Sequence, residues 1–116
     1  MSSKPHSRVQ VIKARASVFA ALGDETRLSV LTRLCDGRRE SIARLTAGTR
    51  LSRQAVTKHL RVLEGAGVVR CVRVGREARF ALEPKPIDEA RKYLEWVAAQ
   101  WDDALARLKA HVEAQG

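Results

Sequence analysis

Apolar and polar positions recur along the chain with two different periods, and the switch between them lays out the elements. Val9, Ile12, Ala16, Phe19 and Leu22 fall three or four residues apart, which predicts a helix from Val9 onward. Gly23-Asp24 interrupts it. Asp24 is a capping residue and Glu25 suits the dipole of a first turn, so a second helix follows, with Leu28, Leu31 and Leu34 inward and an end near Asp36-Gly37. Ser41 begins a short third helix through Ile42 and Leu45, which stops at Ala47-Gly48-Thr49. Ser52 caps a fourth helix from Arg53 to about Gly65, where Gly65 and Gly67 end it. The period then drops to two. Val68–Val74 and Ala78–Leu82 read as strands around Gly75-Arg76-Glu77, at hairpin spacing. Strict alternation would set Val72, Val74, Phe80 and Leu82 on one face. Pro84 and Pro86 break the chain before a long helix from about Ile87 to Ala114, with Asp88 and Glu89 at its start and Lys109 and His111 near its end.

This is a mainly α chain with a small β-hairpin. The order short helix, tight turn, capped helix, hairpin is the plan of a winged helix-turn-helix, in which the second helix of the pair lies in the major groove of DNA. At 100° per residue, Val56, Leu60 and Leu63 fall in one narrow sector of the fourth helix and must face the core. Gln54, Lys58 and Arg61 cluster opposite, flanked by Thr57. That outer face has the right chemistry: Gln pairs with adenine, Lys or Arg with guanine, and Thr reaches a thymine methyl. Ser52, Arg53 and the first backbone N–H groups suit a phosphate at the helix start. His59 lies beside the inward sector and is assigned to packing or phosphate contact. Arg73, Arg76 and Arg79, on the hairpin, suit phosphate or minor-groove contact.

Charge sharpens this reading. The chain has 116 residues, enough for one domain, and its 22 Lys and Arg against 13 Asp and Glu give a net +9. Residues 38–79 hold eleven of the basic side chains and only three acids, so nearly the whole surplus sits on the helix-turn-helix and hairpin. Such a concentration is the footprint of a polyanion-binding surface rather than a general solubility device. The polar start and the lack of a long apolar run point to a cytoplasmic protein with no membrane partner. Residues 1–8 read as a flexible tail and residues 9–116 as a single domain, with a recognition helix at about 53–65, a wing at about 68–82 and a C-terminal helix at about 87–114.

FAALGDETRLSVLTRL, beginning at Phe19, and LSRQAVTKHLRVLEGAGVVRCVRVGREARFAL, beginning at Leu51, closely resemble the opening helix, recognition helix and wing of the ArsR/SmtB family of bacterial repressors. The likeness runs from about Val18 to Leu82. Its most specific part is the spacing of Ser52, Val56, His59, Leu60, Leu63, Gly65 and Gly67. It implies a homodimer on a palindromic operator, released by a signal. Many members sense metals, and there the chain departs. The family's cysteine pair on the third helix would fall at Ser41 and Ala43, and His111 and Glu113 alone do not make a closed site. Neither a metal site nor a cofactor is expected, and a small-molecule inducer is left open.

Ile87, Leu94, Ala98, Trp101, Leu105, Leu108 and Val112 form one stripe on the last helix, the seam of a helix packing on another helix. The expected dimer surface is this stripe, from Leu94 onward, with Ile12 and Phe19 of the first helix. Trp96 points nearly opposite. Alternatively, Tyr93, Trp96 and Trp101 line a small-molecule pocket. A second function class is an architectural protein that coats DNA without sequence preference, but Gln54 and Thr57 on the outer face favour a sequence-specific regulator. An enzyme is disfavoured because His6, His59 and His111 have no catalytic partners in their surroundings. Cys35 and Cys71 are too few for a disulfide framework and read as two structural thiols, with a redox role as the variant reading.

Overall fold

The computed structural model describes residues 8–115. Its elements are α1 (Arg8–Leu22), α2 (Glu25–Arg33), β1 (Glu40–Ser41), α3 (Ile42–Ala47), α4 (Arg53–Gly65), β2 (Val69–Val74), β3 (Glu77–Leu82) and α5 (Pro84–Gln115). Of the tail expected at residues 1–8, residues 1–7 lie outside the described residues, and Arg8 already belongs to α1.

Local chemistry accounts for the helix ends. Asp24, Ser41 and Ser52 each sit in extended backbone, and each side chain accepts the N–H three residues on, from Arg27, Arg44 and Ala55. At the far end of α4, Gly67 adopts φ +78°; its N–H bonds the Glu64 carbonyl at 2.9 Å and the Val68 N–H bonds the Leu63 carbonyl at 3.1 Å. This paired closure needs a left-handed residue, so glycine at position 67 turns the chain directly into β2.

The core lies where α2, α3, α4 and the sheet meet. Leu34, Leu45, Val56, Leu60, Leu63 and Val68 are fully buried, with Phe80, Val30 and Ala21 almost so. Leu28, expected inward, is instead 47% exposed. The inward arc of α2 is set by Val30, Leu31 and Leu34, and at 3.6 residues per turn Leu28 lies roughly 110° from its centre.

The sheet has three antiparallel strands in the order β1-β3-β2, so the hairpin gains a short edge strand that the sequence pattern did not signal. Two residues are too few to display a period; β1 exists because Glu40 and Ser41 pair with Phe80 and Arg79. The hairpin register also differs from the expected one. Val74 pairs with Glu77, leaving Gly75-Arg76 as a two-residue turn. Gly75 has φ +64° while Arg76 keeps a negative φ, the pattern of a II′ turn, whose twist matches that of paired strands. Cys71 therefore pairs with Phe80, and Val72 and Val74 with Arg79 and Glu77. Val72 and Val74 thus occupy the face opposite Phe80 and Leu82, and Val74 is exposed.

α5 begins at Pro84, not after Pro86. Both prolines fall in its first turn, where N–H groups have no acceptor within the helix and a missing one costs nothing. Its first half docks on the body: Ala90 is buried, Ile87 packs on the core, and the Tyr93 ring lies 5.9 Å from that of Phe19 on α1. Among the described residues beyond Val97, only Ala104 is even partly covered. The radius of gyration, 19.4 Å, exceeds the roughly 13 Å of a compact chain of this length, because about half of a helix roughly 48 Å long stands off the body. No helix of the described residues is long and apolar enough to cross a membrane.

Candidate DNA-reading surface

The orientation of α4 follows from its inner face. Val56, Leu60 and Leu63 have no exposed surface, and rotating the helix would pull all three from the core. Its start is fixed by the turn from α3. The Thr49 hydroxyl donates to the Thr46 carbonyl at 2.9 Å and accepts the Leu51 N–H at 3.1 Å. Behind the turn, an Arg33 guanidinium N–H donates to the Leu45 carbonyl at 3.0 Å and lies against Gly48, where any Cβ would collide with it. Glycine at position 48 thus leaves room for the arginine that closes the end of α3.

Gln54 and Lys58 are exposed on the outer face of α4, Arg53 is exposed at its start, and Thr57 is half-buried beside them. Arg53, Gln54 and Thr57 line a shallow recess of about 490 Å³. The Thr57 hydroxyl donates to the Arg53 carbonyl at 2.8 Å, leaving its methyl group and oxygen lone pairs for a base edge. Arg61 is exposed but forms an ion pair with Glu64 at 2.8 Å. The Ser52 hydroxyl accepts the Ala55 N–H at 3.1 Å and is first of all the cap that starts the helix.

The wing brings further arginines alongside. An open groove of about 600 Å³ runs between the start of α4 and the hairpin, with Arg53 on one side, Arg73 and Arg76 on the other, and Ile42 among its lining. Sequence distance separates Arg53 from the wing by some twenty residues, and the β1–β3 pairing that closes this groove had no periodic signal. Arg73 donates to the Arg76 carbonyl at 3.4 Å, which ties it to the turn. Arg79 is less exposed and bonds Glu77 at 2.9 Å.

His59 stands apart from this surface. Its ring is mostly covered, with Nδ1 3.4 Å from an Arg27 guanidinium nitrogen and 3.8 Å from the Asp24 carboxylate. Arg27 also donates to the Ala21 carbonyl at 2.6 Å and the Ala20 carbonyl at 3.3 Å, closing the end of α1. One arginine therefore joins the end of α1, the start of α2 and the side of α4, a junction that no local sequence rule signals. The Arg27 backbone N–H bound to Asp24 holds that carboxyl below its ordinary value, helped by the charges of Arg27 and His59.

Of the residues expected at a dimer seam, those of α5 recur three or four positions apart along one side of that helix, while Ile12 and Phe19 lie on α1. Ile12, Leu94, Trp101, Leu105, Leu108 and Val112 are each 54–63% exposed, and Ala98 is exposed with them. Phe19 is half-buried against Tyr93 of its own chain. Trp96 is 60% exposed and stacks on Tyr93 at 6.4 Å. Trp96 and Trp101 flank a small apolar recess of about 310 Å³, with Tyr93 outside its lining. Cys35 and Cys71 are exposed free thiols rather than packed core groups. Among the described residues, no three His, Cys, Asp or Glu side chains gather as a metal site requires.

Comparison with known proteins agrees with this geometry. Residues 13–72 match the family model of a helix-turn-helix domain. An uncharacterized HTH-type transcriptional regulator of Bacillus subtilis, YuzN, is 33% identical over 82 residues, covering 66% of this chain and 89% of its own. An ArsR-like transcriptional regulator from Rhodococcus sp. RHA1 superposes with a TM-score of 0.76 at 40% identity, over 86% of this chain and 93% of that one. The same fold, at 19% identity and a TM-score of 0.66 over 86% of this chain and 92% of the other, occurs in a homodimeric winged helix-turn-helix DNA-binding domain of Mycobacterium bovis. Together with the capped reading helix and the basic wing, these matches establish that the chain belongs to the ArsR-type family of winged helix-turn-helix transcriptional regulators.

Proposed function

We propose that this regulator is a homodimeric repressor that binds a palindromic operator, reading bases with α4 and holding the backbone with the wing. The observation that carries this reading is the two-sidedness of α4. Three fully buried side chains fix its inner face, while Gln54, Thr57 and Lys58 stand outward beside a groove lined by Arg53, Arg73 and Arg76. Gln54 and Lys58 supply base-edge hydrogen bonds, and the three arginines supply phosphate contacts. Arg61 joins the phosphate set by exchanging Glu64 for the backbone, since an exposed ion pair holds it by no more than about 1 kcal/mol. Arg79 acts in the same way from the wing. His59 acts indirectly, holding α4 against the Asp24–Arg27 junction.

Repression requires only that the bound dimer occlude the promoter. Support for the dimer comes from the exposed apolar stripe on α5, of the kind that marks an interface, with Ile12 also open on α1, and from the fold relative of Mycobacterium bovis, which is itself a homodimer. The test is binding to duplex DNA across a salt series, with genomic DNA as competitor. Six to ten phosphate contacts should weaken binding about 10³-fold or more between 50 and 200 mM salt, and an operator fragment should survive excess competitor. A flat salt dependence, or competition by bulk DNA as effective as by the operator, would leave the repressor reading without support.

A further inference from the structure

A second basic groove lies beyond the wing. It has a volume of about 550 Å³ and is lined by Arg38, Arg39, Arg44 and Arg79, with Glu40 and Glu77 as its acids. Three of the four arginines have partners at their sides: Arg38 with Asp36 at 3.1 Å, Arg44 with Glu40 at 3.2 Å and Arg79 with Glu77 at 2.9 Å. Arg39 is exposed and, among the described residues, has no acid partner. The Glu40 carboxylate is only 12% exposed and lies beneath Arg44, so the open surface here is dominated by guanidinium groups. The Arg38 and Arg44 side chains are about three-quarters exposed, and ion pairs in such settings exchange readily for a phosphate, which guanidinium binds in the same forked geometry.

The position of the groove identifies its occupant. It shares Ser41 and Glu77 with the groove between α4 and the wing, so it begins where that one ends and continues round the β1–β3 edge toward the α2–β1 loop. A nucleic-acid backbone passing Arg53, Arg73 and Arg76 meets Arg79 and Arg44 next, then Arg38 and Arg39. We propose that this groove is a second phosphate track that holds duplex DNA flanking the operator, so that the protein's footprint extends beyond the base pairs it reads. The inference rests on the DNA-binding reading above and adds a contact region to it. The shared chemistry is a phosphate on a cluster of guanidinium groups. Continuity with the reading groove assigns that phosphate to DNA backbone rather than to a free anion.

The experiment compares two duplexes, one ending at the inverted repeat obtained by selection from random DNA and one carrying about one further helical turn at each end. Wild type is measured beside an Arg38→Gln/Arg39→Gln variant, which leaves the covered Glu40 paired with Arg44. A Lys92→Gln/Arg107→Gln variant removes the same charge from α5. On the long duplex the first variant should bind at least tenfold more weakly, with a salt slope shallower by about two phosphates' worth, about 0.9 each. On the short duplex it should match wild type, and the α5 variant should show no length dependence. Equal binding by wild type and the Arg38/Arg39 variant on both lengths would overturn the track. So would an equal loss on both, which would place these arginines in the core contact or the general field. Calorimetric titration with pyrophosphate separates the other source. Stoichiometric binding that Arg38→Gln/Arg39→Gln abolishes, with no length effect on DNA, would make this a free-anion site and refute the proposal. Failure of wild type to bind even the short duplex would refute the DNA-binding reading, and the track with it.

Discussion

Shortening Leu105 to alanine probes the dimer seam without touching any DNA-facing group. Leu105 is 54% exposed in the single chain, so about half of its burial remains for a partner to supply. Full burial of a leucine contributes about 1.5–3 kcal/mol, which leaves roughly 1 kcal/mol per protomer. Two-fold symmetry places the same loss on both sides, or about 2 kcal/mol per dimer, equivalent to about 30-fold weaker self-association. A glutamate at the same position is harsher. It carries an unpaired charge into an apolar seam, so its desolvation adds several kcal/mol. Sedimentation equilibrium should show wild type as a dimer at micromolar concentration, Leu105→Ala with a measurably raised dissociation constant, and Leu105→Glu as a monomer. Operator affinity measured on the same samples should follow the dimer fraction, because a monomer presents one reading helix to one half-site. Circular dichroism would confirm that the monomeric variant keeps its helices, since the core around Leu34, Leu45 and Leu63 does not involve position 105. A Leu105→Glu protein that stays dimeric and binds normally, or a wild type that is monomeric at micromolar concentration, would refute the seam.

Gln54→Ala should cost about 1–3 kcal/mol on the preferred sequence and little on random DNA, whereas Arg76→Ala should weaken both about equally; the reverse pattern in a binding assay would exchange their roles. Asp24 titrates below its ordinary value of 3.8, so its stabilising effect is complete above that value and is lost as pH falls through the lowered one. Thermal melts should therefore show Asp24→Ala less stable than wild type at neutral pH, with the two curves converging in strong acid; a gap that persists there would mean the cap acts without its charge. Ser52→Ala should cost about 1 kcal/mol in a denaturant titration by uncapping α4, and no change would show that the turn alone holds the helix start.

Much of this fold was legible because its signals are local. Asp24, Ser41 and Ser52 announce three helix starts, and each side chain makes the capping bond its residue type favours. The sector of Val56, Leu60 and Leu63 fixed which side of α4 faces outward, and hence the set around Gln54. What escaped depends on distance along the chain or on a single-residue shift. A two-residue turn at Gly75-Arg76, rather than one of three, reverses the face of Val72 and Val74. Leu28 shares a three-residue spacing with Leu31 and Leu34, but the core lies on the side of Val30. Pro84 reads as a breaker unless it stands in a first turn, where its missing N–H is harmless. β1, the Arg27 junction and the meeting of Arg53 with the wing arise only once separate elements have packed, so neither period nor capping chemistry foretells them.

A dimer of this chain that reads DNA by sequence presents two α4 helices related by a two-fold axis. Repeated selection from a pool of random duplexes with the purified protein is the decisive measurement. Such a dimer should enrich an inverted repeat whose half-sites are centred about one helical turn, or a multiple of it, apart. Gln54→Ala should relax the preference at one symmetric pair of positions. A selected pool with no common sequence, bound as tightly as the starting one, would instead identify a protein that coats DNA through charge alone.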